Sequence, residues 1–172
     1  DRAALRERLR DWYRRHRRDL PWRRTRDPYA ILVAETMLQQ TRVEAVRAAY
    51  ERFLVRFPTA AAFAAAGDDE LLLAWRGLGY YRRARNLRAA AREIVEKWER
   101  RFPETLDGLL SLPGIGRYTA GALGSIAFGW KLPEPVAISV QAISRNFPRQ
   151  VQLDRYGKPP SAYRWLAKVR VA

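Results

Sequence analysis

Apolar residues recur at three- and four-residue spacing through almost the whole 172-residue chain, and no segment alternates convincingly at period two. That spacing buries one face of a helix and no face of a strand, so it points to an all-α architecture. Punctuation residues cut the pattern into short elements. Leu5, Leu9, Trp12 and Tyr13 stripe a first helix whose other face is arginine, and Leu20-Pro21-Trp22 breaks it. Asp27 followed by Pro28 is a cap-and-start signal for a helix reaching about Thr41. The next carries Val43, Val46, Tyr50, Phe53 and Leu54 up to Pro58. Short alanine- and leucine-rich helices are expected over 60–66 and 69–76, and a long one over 82–101, stopped before Pro103. From about Lys131 the periodicity weakens and Pro133, Pro135, Pro148, Pro159 and Pro160 crowd the chain. Irregular structure is expected there, or a short helix near 140–146.

Between an amphipathic segment, 104–112, and a small-residue helix, 119–128, lies Leu112-Pro113-Gly114-Ile115-Gly116-Arg117-Tyr118. Two glycines flanking an apolar residue suit a tight reversal between helices, where positive φ is expected at both. Such a turn leaves the amides of Gly114, Gly116 and Arg117 unpaired at a helix N-terminus, where they and the helix dipole can hold a phosphate oxygen. A plain helix–glycine–helix turn accounts for the same residues, so the hairpin by itself leaves both readings open.

Charge narrows the partner. The formal net charge is +15, and only four of the 33 basic residues are lysine. A field of that sign attracts polyanions, and arginine's planar fork matches phosphate with two parallel hydrogen bonds. Nucleic acid is the leading partner. An anionic membrane is the rival, but no apolar run approaches the length a spanning helix needs. No apolar signal core opens the chain, so an intracellular, cytoplasmic and nucleoid-associated protein is expected. The absence of cysteine excludes disulfides, thiol nucleophiles and thiolate-bound metal within these residues. His16, the single histidine, lies in Arg14-Arg15-His16-Arg17-Arg18 and reads as part of a solvated basic face.

Four sets of residues could carry chemistry. Glu35 shares its helix stripe with Ile31, Leu32 and Leu38, so a buried carboxylate is expected. Burial favours its protonated form, the state a general acid needs, although an arginine partner would also satisfy it. Gln39, Gln40 and Thr41 end that helix as caps or contacts. Tyr80 and Tyr81 follow the glycine loop Gly77-Leu78-Gly79 and precede Arg82, Arg83 and Arg85. An aromatic displayed beside cations can wedge between bases, and one tyrosine of the pair is expected to pack on the core instead. Trp12, Trp22, Trp75 and Trp98 fall at positions suited to the core.

Taken in order, the motifs resemble the MutY-type adenine DNA glycosylases of the helix-hairpin-helix superfamily. They are Leu20-Pro21-Trp22-Arg23, Asp27-Pro28-Tyr29, Glu35 to Thr41, Gly77-Leu78-Gly79-Tyr80-Tyr81, Arg83-Ala84-Arg85-Asn86-Leu87, Phe102-Pro103 and the hairpin through Ala120-Gly121-Ala122. The resemblance implies a six-helix barrel domain over 22–130 containing the hairpin motif at 104–128. Segments 1–21 and 131–172 would be the remnant of an incomplete second lobe. It further implies a monomeric enzyme that removes adenine mispaired with 8-oxoguanine or guanine in duplex DNA, flipping the nucleotide while the hairpin holds backbone phosphate. Glu35 matches the catalytic acid. Gln40 and Tyr80 match residues that penetrate the stack, and Arg18, Leu20, Trp22 and Arg23 match positions at the adenine pocket. Tyr118 stands where strand-cleaving relatives carry a lysine. A phenol forms no Schiff base, so hydrolysis of the N-glycosidic bond without lyase activity is implied.

The pattern departs after Pro133-Glu134-Pro135-Val136. A gap-free reading puts Ile138 where the family carries an aspartate that stabilises the cationic sugar. The four cysteines that hold a [4Fe–4S] cluster in intact relatives, and the separate domain that helps recognise 8-oxoguanine, are not in this sequence. A truncated or frame-disrupted tail is the expectation, ahead of a divergent cluster-free homologue. Two functions of different class follow: an adenine glycosylase, or a mispair- or duplex-binding module that does not cleave.

Overall fold

The structure is a computed structural model that describes residues 7, 8, 11, 12, 14–16 and 18–130. The chain divides into two compact units, Leu20–Val136 and Asp1–Asp19 with Ala137–Ala172. In the second unit, the described residues between 7 and 16 are helical, with Trp12 stacked on an exposed His16 at 4.9 Å. The expectations for 131–172, including the 140–146 helix and the place of Ile138, lie outside the described residues, as do Leu5, Leu9 and Tyr13.

The larger unit is all-helical, with no strand among the described residues. A 3-10 turn, Pro21–Arg23, leads to α1 (Pro28–Leu38), α2 (Val43–Arg56), α3 (Ala60–Ala64), α4 (Asp68–Ala74), α5 (Arg82–Glu96), α6 (Leu106–Leu110) and α7 (Arg117–Ile126). Helix α1 starts as its sequence demands: Asp27 accepts from the amides of Tyr29 and Ala30 at 3.1 and 3.2 Å, and Pro28 takes the first turn. It is the central helix, packed against α2, α5, α7 and the 3-10 turn, with nine of its eleven residues buried. Aromatic rings fill the space beyond α2. Phe53 meets Phe57, Phe63 and Trp75 at 5.2, 4.9 and 6.1 Å, all edge-on, the arrangement that ring quadrupoles favour.

Two helices end earlier than their patterns suggest, for identifiable reasons. α1 stops at Leu38 because Arg83 takes the carbonyls that further turns would use, and Gln40 adopts φ +56°. α5 stops at Glu96, and Glu99 and Arg100 turn left-handed so that the Arg100 amide reaches the Ile94 carbonyl at 2.9 Å. Along α5 the small residues Ala84, Ala90 and Ala91 are buried, and α3 packs closely on this helix. Two more α5 arginines bind carbonyls at the end of α3. Arg88 donates to Ala66 O at 2.9 Å and pairs with Asp68, and Arg92 donates to Ala64 O at 3.1 Å. The Arg88 hydrogen bond and charge hold the Asp68 carboxyl below its ordinary range. Part of the arginine excess is therefore structural, which the net charge alone did not reveal.

The end of α7 is closed by Gly129, at φ +68°, and by Trp130, whose amide donates to Gly124 O at 2.8 Å. The Trp130 ring lies directly on Gly124, and a Cβ there would overlap the indole. Gly124→Ala is expected to destabilise the fold by about 1–3 kcal/mol, the usual penalty for overpacking. In a Trp130→Ala background most of that penalty should vanish, a coupling that urea unfolding of the double-mutant cycle measures.

Burial also shapes alkaline stability. Tyr29 lies in the core and donates to Phe57 O at 3.1 Å, and Tyr50 packs edge-on to Trp22 at 5.4 Å. Desolvation first, then the nearby Asp27 carboxylate, raises both phenols, Tyr50 to about 12. A raised phenol pKa favours the fold fully below pH 10.0, the ordinary value, and that contribution is lost as pH rises through about 12. The urea midpoint should fall across this window, and Tyr50→Phe should flatten the fall by at most about 1.4 kcal/mol per pH unit.

Candidate nucleic-acid interface

Helix α6 is capped by Thr105, whose Oγ1 accepts from the Gly108 amide at 3.2 Å. The chain then reverses in the six residues 111–116 before α7. Leu112 and Ile115 are buried and pin the turn, with the Ile115 amide donating to Leu112 O at 3.2 Å. Gly114 sits at φ +75°, and a Cβ on it would come within 2.8 Å of the Asn86 Cβ, so both conformation and space require glycine. Gly116 differs from the sequence expectation. It caps α7 at φ −93° and ψ 176°, extended backbone open to any residue, and a Cβ there would meet nothing within 4 Å. The chain's own packing does not explain that glycine. Among the described residues, the amides of Gly114, Gly116 and Arg117 find no acceptor within the molecule, and all three residues are exposed.

A second constellation gathers around Arg83. Its Nη1 donates to the carbonyls of Thr36 and Met37, both at 2.9 Å, and of Gln39. Its Nη2 donates to Thr41 Oγ1 at 2.9 Å and to the carbonyls of Leu78 and Gly79 at 3.1 and 3.2 Å. The guanidinium lies 5.6 Å from the rings of both Trp75 and Tyr80. Gln40 and Tyr80 thus flank one cation, and both are exposed non-glycine residues with left-handed backbone, φ +56° and +47°. Tyr80 is 63% exposed and Tyr81 37%, so neither tyrosine packs its ring wholly into the core as expected for one of them. Sequence reasoning grouped Arg83 with the displayed cations. Its position four residues before Leu87 and eight before Ala91 places it on the buried stripe of α5, and that is the signal that could have found it.

The two constellations share a small cleft, lined by Thr36, Gln39, Arg83, Asn86, Pro113 and Gly114 among others. Glu35 stands one residue before Thr36 on α1 and is half-buried, not enclosed in the core as its stripe position suggested. Its helix packs on α7, whose second residue, the half-buried Tyr118, is the other expected catalytic-site residue. Leu20 and Trp22 are core residues at 3% and 7% exposure, with Arg23 half-buried beside them in the 3-10 turn. Arg18 is half-buried and belongs to the other unit.

Residues 33–160 match the family described as HhH-GPD superfamily base excision DNA repair protein. The chain belongs to that superfamily. The match continues past Val136, where the sequence's own motifs stop. Similar curated proteins include the adenine DNA glycosylases of Homo sapiens, 45% identical over 136 residues, and of Mycolicibacterium smegmatis, 47% identical over 126. These alignments cover 74% and 73% of this chain but 25% and 43% of the relatives, so it spans well under half of their length. Among solved structures, a thermostable thymine-DNA glycosylase superposes with a TM-score of 0.66 at 34% identity, covering 73% of this chain and 58% of that one. A trapped endonuclease III–DNA covalent intermediate gives 0.66 at 25%, covering 87% and 67%. These neighbours confirm the all-α helix-hairpin-helix glycosylase fold.

The hairpin's two glycines should respond differently to a methyl group. Gly114→Ala should lower stability by about 1–3 kcal/mol, through left-handed strain and the Asn86 overlap. Gly116→Ala should change it by less than about 1 kcal/mol, the scale of an N-cap exchange, which thermal unfolding would read directly.

Proposed function

We propose that this chain carries the duplex-binding and proton-donating half of a base-excision DNA glycosylase that removes mispaired adenine. The observation that carries the reading is the juxtaposition on packed helices of a solvent-facing set of hairpin amides, at Gly114, Gly116 and Arg117, and a half-buried acid, Glu35. Similarity to adenine DNA glycosylases over the same residues supports it.

In this reading the hairpin amides and the N-terminal end of the α7 dipole take a backbone phosphate oxygen. The bare Cα of Gly116 allows the backbone approach that any side chain would block. Gln40 and Tyr80 enter the stack around the mispair, and the adenosine leaves it for a pocket bordered by Leu20, Trp22 and Arg23. Glu35 donates a proton to the adenine ring. The C–N bond electrons then go to the base, which departs neutral while positive charge develops on the sugar as an oxocarbenium ion. Water attacks that cation. Tyr118 supplies no amine, so strand cleavage by Schiff-base chemistry does not follow. The partner is double-stranded DNA carrying adenine opposite 8-oxoguanine or guanine.

A specific observation favours a second reading, a mispair-binding module without cleavage. In a gap-free reading of the sequence, Ile138 stands where the resembled family carries an aspartate, and loss of such a charge beside a sugar cation removes several kcal/mol of transition-state stabilisation. A single-turnover assay on an adenine·8-oxoguanine duplex separates the two. The glycosylase reading expects alkali-revealed strand breaks well above a Glu35→Gln control. Tight mispair binding with breaks no greater than that control would leave the binding module. Gly116→Ala should weaken binding to matched and mispaired duplexes alike, by about three- to tenfold for a displaced phosphate contact.

A further inference from the structure

We propose that Arg83 is a positioning residue that holds Gln40 and Tyr80 as one paired wedge. The inference rests on the reading that these two side chains enter the DNA stack. Gln40 and Tyr80 lie forty residues apart in sequence, in separate loops, and both adopt left-handed backbone without being glycine. Non-glycine residues keep that conformation only where their surroundings fix it. Here the fixing group is shared. Arg83 binds Gln39 O and Thr41 Oγ1, the polar atoms on either side of Gln40, and Leu78 O and Gly79 O, the carbonyls just before Tyr80. The Tyr80 ring lies over the same guanidinium, and Trp75 underlies it while donating its Nε1 hydrogen to Gly79 O at 3.1 Å. A planar fork with its donors in fixed directions can serve both loops at once. A lysine ammonium, a point charge on a flexible stem, cannot span both sets.

Among the described residues, one other hydrogen bond joins the two loops. Thr41 Oγ1 lies 3.5 Å from Leu78 O, at the limit of a hydrogen bond, so Arg83 carries most of the coupling. The hairpin is held separately, through Asn86 against Gly114, one turn further along α5. Loss of the Arg83 fork should therefore uncouple stack penetration from phosphate binding.

The test uses the full chain with duplexes carrying 2-aminopurine beside an adenine·8-oxoguanine mispair or a matched pair. Wild-type protein is expected to prefer the mispaired duplex and to raise the 2-aminopurine fluorescence as the stack opens. Arg83→Lys and Thr41→Val are each expected to lose about tenfold of the mispair-over-matched preference, as for one or two broken hydrogen bonds, together with the fluorescence rise. Matched-duplex affinity and its salt slope should stay at the wild-type level, and Thr41→Ser, which keeps the hydroxyl, should restore both mispair readouts. Variants that retain the wild-type preference and fluorescence overturn the inference while leaving the wedge reading intact. Equal losses on matched and mispaired duplexes also overturn it, because they mark a purely structural arginine. A wild-type protein that binds without unstacking overturns the wedge reading and the inference with it. If Arg83→Lys does not fold, the Thr41→Val and Thr41→Ser pair decides by the same readouts.

Discussion

The end of α1 is the constraint on which the site depends. A helix leaves its last four carbonyls without intrahelical donors, and α1 ends within the protein, where water meets only part of that need. Arg83 supplies the donors from another helix. Hydrogen bonds to a charged group are worth about 1.5–3 kcal/mol each, more than a neutral cap provides. The same bonds stop α1 at Leu38, set the Gln39–Thr41 turn and draw in the Leu78–Gly79 loop that precedes α5. Arg88 and Arg92 repeat the device at the end of α3. Helix α5 thus lends its arginines to the carbonyls of its neighbours, and the polypeptide around each helix end follows from where those donors reach.

Most of the scaffold was legible in the sequence because local chemistry determines it. Asp27-Pro28 starts α1, and the apolar spacing of Val46, Tyr50 and Phe53 puts the buried face of α2 where expected. Gly114 is likewise readable, since its positive φ and close neighbour both demand glycine. What escaped the sequence depends on distant residues. A helix end made by an arginine forty-odd residues away carries no local stop signal, so α1 reads too long. Net charge counts cations but not the direction of their heads, and it assigned to solvent an arginine that the fold turns inward. Gly116 reads as a turn glycine, since sequence alone cannot separate a residue needed for its φ from one needed for its missing side chain. Helical spacing gives Glu35 a direction toward the core, and the depth of its burial is set by the neighbours packed around it.

On the proposed reading, two distances must hold at once, from phosphate to acid and from acid to wedge. The first is fixed by α1 on α7. Helix α7 packs on α1 and buries the small residues Ala120 and Gly121, with the hairpin at its N-terminal end. The second runs through Arg83, which grips the carbonyl of Thr36, the residue next to Glu35, and the loops that bear Gln40 and Tyr80. Positions on rigid helices change little on binding, and loops fastened by a multidentate cation change little more. On the proposed reading, sensing a mispair and donating a proton are then two properties of one frame. That explains why a glutamate need not be deeply buried here. Its placement is set by the packing of α1 and not by enclosure, and on the proposed reading a nucleotide held beside it would complete its surroundings.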